Sequence, residues 1–161
     1  GAHKVLGEHY ANLYAMFYGV QTVSLRYFSV YGPGMNLDEQ YALAIPAFIR
    51  ARQKGLPLTI FGNGEYTRDC THVRDVVRAN ILAMESPRVG AGEILNIGAG
   101  HNVSINYLAK LIGGTVEYKD PRKEVKDTFA DHSRARELLG WQPTVAVEDG
   151  IAELKTLYGI S

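Results

Sequence analysis

The sequence predicts an α/β fold. Segments with helical periodicity alternate with short β-branched and aromatic runs along the 161 residues, which is the pattern of a sheet layered with helices. A second observation is the stretch Leu25 to Met35, Leu-Arg-Tyr-Phe-Ser-Val-Tyr-Gly-Pro-Gly-Met. Its first half alternates and suits a mostly buried strand. Its second half ends that strand, because Pro33 lacks a backbone donor and Gly32 and Gly34 tolerate bends that other residues resist. Open α/β sheets hold ligands beyond the carboxyl ends of their strands, where such a loop would stand. An ordinary core strand closed by a tight turn fits the same residues.

The elements follow in order. Leu6, Tyr10, Leu13 and Phe17 recur at helical spacing and predict a helix over Lys4 to Tyr18, stopped by Gly19. Val5, Tyr14 and Met16 widen its apolar surface beyond one stripe, so a second buried face is expected, within the subunit or against another copy. After the Gly/Pro loop, Asn36 to Tyr41 is polar and reads as a loop. Pro46 suits the first turn of a helix through Lys54, with Gly55 ending it. Leu58 to Phe61 is a short strand, entered at Pro57 and followed by the turn Gly62-Asn63-Gly64. Thr67 to Val73 reads as one strand, and Arg74 or Asp75 opens a helix through Met84, with Asp75 placed for the helix dipole. Glu93 to Ile97 is a strand that runs into Gly98-Ala99-Gly100. Ser104 caps a helix to Ile112 that Gly113-Gly114 stops, and Thr115 to Tyr118 is a short strand. Helices over Ser133–Leu139 and Val147–Tyr158 close the chain, joined by a segment that begins Gly140-Trp141-Gln142-Pro143.

Composition narrows the partners. Seventeen Lys and Arg balance seventeen Asp and Glu, so no charge excess recruits nucleic acid or an anionic membrane. Any bound anion must then be held by a few placed arginines. Apolar residues at 46% are enough for one respectable core, or for part of a two-domain protein. The single Cys70 excludes an internal disulfide framework and fits a reducing, cytoplasmic setting. No apolar run approaches the ~20 residues of a membrane span, and no signal peptide is visible.

The motifs, taken together and in order, resemble the extended short-chain dehydrogenase/reductase family, the NAD-dependent nucleotide-sugar epimerases and dehydratases. Gly-Ala-His-Lys leads into a helix as the family's Tyr-x-x-x-Lys does, with Lys4 on the lysine and the tyrosine one residue before Gly1. Arg-Tyr-Phe-Ser-Val-Tyr-Gly-Pro matches the strand that follows, and Thr-Arg-Asp-Cys-Thr-His-Val-Arg-Asp-Val matches the family's Arg-Asp-x-x-His-Val-x-Asp segment. The resemblance runs to the C-terminus. It implies the C-terminal part of a Rossmann-type fold with a smaller α/β substrate domain. Residues 1–34 and 69–100 would be the remainder of the dinucleotide-binding domain, and 35–68 and 101–161 the nucleotide-sugar domain.

The resemblance also assigns roles. Lys4 would lower the phenol pKa of the catalytic tyrosine, so that a tyrosinate acts as base, and would bond the nicotinamide ribose of NAD. Tyr27 would lie beside the nicotinamide; a core tyrosine is the competing reading. Arg68 would bind the diphosphate of the sugar nucleotide through its planar guanidinium, or else be a surface arginine paired with Glu65 or Asp69. Thr59 and Phe61 would line the base, with the ring stacking on it, although Phe61 also suits a core. Arg122 would be a second phosphate-binding arginine and Glu124 the ribose-binding acid, with Lys123 where the family has glycine. A solvated loop fits that pair equally. Ser29 stands where many members have asparagine and can still donate to a phosphate or sugar oxygen. Leu43 falls near a position often held by a sugar-nucleotide-binding asparagine. His72 has no second His or Cys at ligand spacing and reads as structural, so no metal is expected.

The implied activity is that of a 4-epimerase acting on a UDP-sugar or related nucleotide-sugar through a 4-keto intermediate, in a homodimer built on the first helix. A sugar-nucleotide 4,6-dehydratase of the same fold is the alternative, and a non-catalytic nucleotide-binding or interaction module is another. Gly62-Asn63-Gly64 and Gly98-Ala99-Gly100 lack the G-x-G-x-x-G spacing of a dinucleotide turn, so the chain by itself is expected to be inactive.

Overall fold

The computed structural model describes residues 2–38 and 43–160. Helix α1 (Ala2–Tyr18) lies on strand β1 (Thr22–Tyr27), which pairs in parallel with β6 (Ala91–Ile97). The helix is held there by a fork from Arg26 to both Glu8 oxygens, each 2.7 Å, and by Thr22 Oγ1 donating to Ala11 O at 2.8 Å. Gly92 allows the close approach: a Cβ there would stand 2.8 Å from the Asn12 Cα. No residue of α1 is buried, and Tyr10 and Phe17 remain 61% and 71% exposed. Burial of both helix faces within this chain is therefore corrected.

The strand expected through Leu25 is two strands. β1 ends at Tyr27 and β2 (Val30–Tyr31) pairs with β5 (Thr71–His72), because the backbone changes partners between them. Phe28 N still donates to Ile97 O at 3.1 Å, whereas Ser29 O accepts from Thr71 N at 3.3 Å. Ser29 makes the turn with a φ of +29°. The run Thr67–Val73 divides in the same way into β4 (Thr67–Arg68) and β5, with β4 pairing antiparallel to β7 (Val103–Ser104). Between them Asp69, fully buried, accepts from the backbone N–H groups of Ala99, Gly100 and Ala130 at 2.6, 3.0 and 2.9 Å. That clip ties the β4–β5 junction to the glycine turn after β6.

Helix α3 (Val73–Glu85) starts earlier than Arg74, since His72 caps it by accepting from Arg74 N through Nδ1. Asp75 stands in the first turn of α3, where the helix dipole favours an acid, and it also ties the helix to the segment after Trp141. Its carboxylate is buried and accepts from Thr144 N, Thr144 Oγ1 and Val145 N, while Trp141 Nε1 donates to Asp75 O at 2.9 Å. Burial pushes that carboxyl up, but the Thr144 and Val145 bonds outweigh it and hold it below the usual range. Helix α2 (Ala44–Gln53) begins just before Pro46, whose missing donor costs nothing in a first turn. Of the segment read as a loop at 36–41, Glu39, Gln40 and Tyr41 lie outside the described residues, as does Gly1.

Strand β3 (Leu58–Phe61) pairs in parallel with β8 (Val116–Lys119). Helix α4 (Ile105–Ile112) is capped by Ser104 Oγ, which accepts from Tyr107 N at 3.1 Å. Helices α5 (Ser133–Leu139) and α6 (Val147–Tyr158) each end on a left-handed glycine, Gly140 and Gly159. Among the described residues the buried apolar side chains gather in two cores. One gathers Phe48 and Ile49 of α2, Leu58 and Ile60 of β3, Leu108 and Ile112 of α4, and Ile151 and Leu154 of α6. The other gathers Leu95 and Ile97 of β6, Val76 and Ala79 of α3, Leu139 of α5, and Trp141.

Candidate functional site

Alternation in the β3–β8 pair builds the site's floor. Leu58 and Ile60 are buried in the first core, so period 2 turns Thr59 and Phe61 to the other face. The register sets Thr59 beside Glu117 and Phe61 beside Lys119. These side chains line a cavity of about 990 Å³, together with Ser29, Arg68, Arg122 and Glu124. Of the residues singled out by resemblance, the cavity thus brings together Ser29, Thr59, Phe61, Arg68, Arg122 and Glu124. Leu43 lines it as well.

Lys4 and Tyr27 lie elsewhere. Lys4 is exposed in the first turn of α1. Tyr27 ends β1 about half exposed, with its hydroxyl donating to Asn80 Oδ1 at 2.9 Å, so it is not a core tyrosine.

Arg68 is held firmly because it directly precedes the Asp69 clip. Its Nη1 donates to Thr67 O at 2.8 Å and to Lys126 O at 3.0 Å. Its Nη2 meets Glu124 Oε2 at 2.5 Å, so the ion-pair partner is Glu124 rather than Glu65 or Asp69. That leaves Nε–H and one Nη2–H without a partner among the described residues, donors that an anion can take up. Arg122 lies with its Cζ 3.3 Å above the Phe61 ring centroid, a cation–π contact. On the floor, Thr59 Oγ1 donates to Glu117 Oε1 at 2.6 Å and Lys119 Nζ stands 2.8 Å away. The Lys119 bond, then that of Thr59, holds the Glu117 carboxyl below its ordinary range.

Glu117 and Lys119 were not picked out from sequence. The signal was available in part: Val116-Glu117-Tyr118-Lys119 alternates, but only its parallel pairing to β3 tells which alternate face meets the cavity. His72 is structural, an N-cap at the buried start of α3, with Nε2 3.2 Å from a Glu153 oxygen. Among the described residues no group of three or more His, Cys, Asp or Glu side chains is placed to hold a metal ion.

Parallel strand pairs with helices against them define a Rossmann-type α/β protein, and its cavity joins an aromatic ring to arginine side chains. The chain belongs to the NAD dependent epimerase/dehydratase family, whose profile matches residues 1–98. A putative UDP-glucose 4-epimerase of Methanocaldococcus jannaschii is 37% identical over 94% of the chain and 50% of its own length. Among solved structures, UDP-glucose 4-epimerase of Thermotoga maritima with UDP-glucose superposes with a TM-score of 0.83 at 39% identity, covering 94% of this chain and 50% of that one. UDP-glucuronic acid 4-epimerase of Bacillus cereus, in complex with UDP-glucuronic acid and NAD, gives 0.79 at 36% identity over 94% of this chain and 51% of that one. The chain spans about half the length of the relatives it matches.

Proposed function

We propose that this chain is the nucleotide-sugar-binding portion of an NAD-dependent 4-epimerase acting on UDP-sugars. The observation that carries the reading is the cavity on the β3–β8 floor, where Phe61, Arg68, Arg122 and Glu124 stand together. Each has a task there. The Phe61 ring offers a stacking face for a base, and the uncommitted edge of Arg68 fits a diphosphate oxygen pair. Glu124 orients Arg68 through its 2.5 Å contact and can accept from a ribose hydroxyl with its other oxygen. Ser29, turned into the cavity where β1 passes to β2, donates toward the sugar.

Lys4 and Tyr27 fit the nicotinamide end of NAD: one is an exposed amine on α1, the other a half-exposed ring at the carboxyl end of β1. When bound, NAD would accept a hydride from the sugar's C4 and return it. In this reading Lys4 supplies positive charge beside a phenol that moves the C4 hydroxyl proton.

The same reading divides the chain into residues 1–34 plus 69–100 and residues 35–68 plus 101–161. The two cores support a division, although α5 and Trp141 pack in the core of β6 and α3. A homodimer on α1 is supported by that helix's exposed apolar surface. A cytoplasmic setting is supported by a free, buried Cys70, whose thiol burial pushes up to about 12. No helix among the described residues is long and apolar enough to cross a membrane.

Calorimetric titration of the chain with UDP-glucose, UDP and NAD tests the proposal. Saturable UDP and UDP-glucose binding, with weak or no NAD binding and no turnover of UDP-galactose by the chain alone, is the expected result. Absence of any nucleotide-sugar binding overturns it.

A further inference from the structure

Both cavity carboxylates are already engaged: Glu124 meets Arg68 at 2.5 Å and Glu117 meets Lys119 at 2.8 Å. Arg122 accordingly makes no ion pair or hydrogen bond among the described residues. Its guanidinium rests instead on the face of Phe61, 3.3 Å from the ring centroid. That separation is van der Waals contact between two flat groups, so nothing can pass between them. The segment carrying Arg122 passes beside the end of β3, where a Cβ on Gly62 would stand in ordinary contact with Pro121, 3.5 Å from its Cβ.

We infer that Arg122 is a gate for the base: it occupies the stacking face of Phe61 until a diphosphate draws it away. This rests on the nucleotide-sugar reading above and goes beyond it by making one residue select nucleoside diphosphates over nucleosides. The physical reason is competition for a single cation. A partly exposed cation–π contact is a weak hold, whereas charge-assisted hydrogen bonds to phosphate oxygens are among the stronger contacts such a side chain makes. A nucleoside diphosphate supplies both the base for the ring and the anion for the arginine. A nucleoside supplies only the base and must displace Arg122 with nothing to receive it. The two halves of the ligand are thereby coupled through Arg122, and the coupling is reciprocal by linkage.

The test titrates the chain with UDP and with uridine, following chemical shifts by NMR, for the unsubstituted protein, Arg122→Ala, Arg122→Gln and the exposed control Arg88→Ala. The gate requires opposite responses. Uridine should bind about two- to fivefold more tightly in Arg122→Ala, the equivalent of one exposed cation–π contact, while UDP binds about tenfold or more weakly. Arg122→Gln should move both affinities in the same directions. Adding Phe61→Leu to Arg122→Ala should cancel the gain for uridine and so locate the base on that ring. Uridine affinity that falls together with UDP affinity means the base stacks on the guanidinium, and unchanged uridine affinity means Arg122 does not block the ring; either result overturns the gate while leaving nucleotide binding intact. If the unsubstituted chain binds neither UDP nor dTDP, the nucleotide-sugar reading falls and the gate with it.

Discussion

Replacing Arg68 tests the proposed diphosphate site most directly. The side chain commits Nη1 to Thr67 O and Lys126 O and one Nη2 proton to Glu124, which leaves Nε–H and a second Nη2–H for an incoming anion. Charge-assisted hydrogen bonds contribute roughly 1.5–3 kcal/mol each, and two of them from one side chain do not add in full. Arg68→Ala should then cost about 2–3 kcal/mol of UDP binding, or about 30- to 150-fold in Kd. Arg68→Lys should fall between, because a point charge remains but the fork is lost. The structure adds a further expectation. Removing Arg68 leaves Glu124 without its 2.5 Å counter-ion, beside the place proposed for the diphosphate. Glu124→Gln in the Arg68→Ala background should therefore recover part of the loss by removing that repulsion. Calorimetry at one ionic strength is the assay, with exposed Arg88→Ala as control. Equal UDP affinity in Arg68→Ala and the control would refute the assignment.

Two further outcomes are expected. Asp75→Ala removes the buried acceptor of Thr144 and Val145 and the ion-pair partner of Arg78, and should destabilise the fold by about 3 kcal/mol or more in urea unfolding. Its carboxyl is held below the unfolded value of about 3.9. The stabilisation is therefore present above that pH and lost as pH falls through the lower folded pKa, so the acid limb of an unfolding profile should flatten in the variant. A flat profile in both proteins would remove Asp75 as its source. Helix α1 leaves Leu6, Leu13 and Phe17 at 52%, 43% and 71% exposure, so light scattering across a concentration series should show dimers or larger species, shifted toward monomer by Leu13→Glu. A monomer at every concentration would count against the α1 interface.

Sequence by itself determined the local elements and the kinds of chemistry. Periodicity and turn residues located β3, α5 and α6 at the bounds they have, and Ser104 as a cap, because propensity, capping and glycine stops act within a few residues. The resemblance of the surrounding motifs, rather than residue type, marked Arg68, Arg122 and Phe61 as groups fit for an anion and a flat base. Tertiary structure decided where strands break and who meets whom. The change of partners at Ser29 depends on Ile97 O and Thr71 N, both distant in the chain. The split at Asp69 depends on three backbone N–H groups that come from Ala99, Gly100 and Ala130. Arg68 found Glu124, not its neighbours Glu65 or Asp69, and Glu117 entered the cavity only because β8 runs parallel to β3. Such contacts are absent from local pattern because side-chain alternation shows that a strand has two faces, while only its partner and register decide which face meets the ligand.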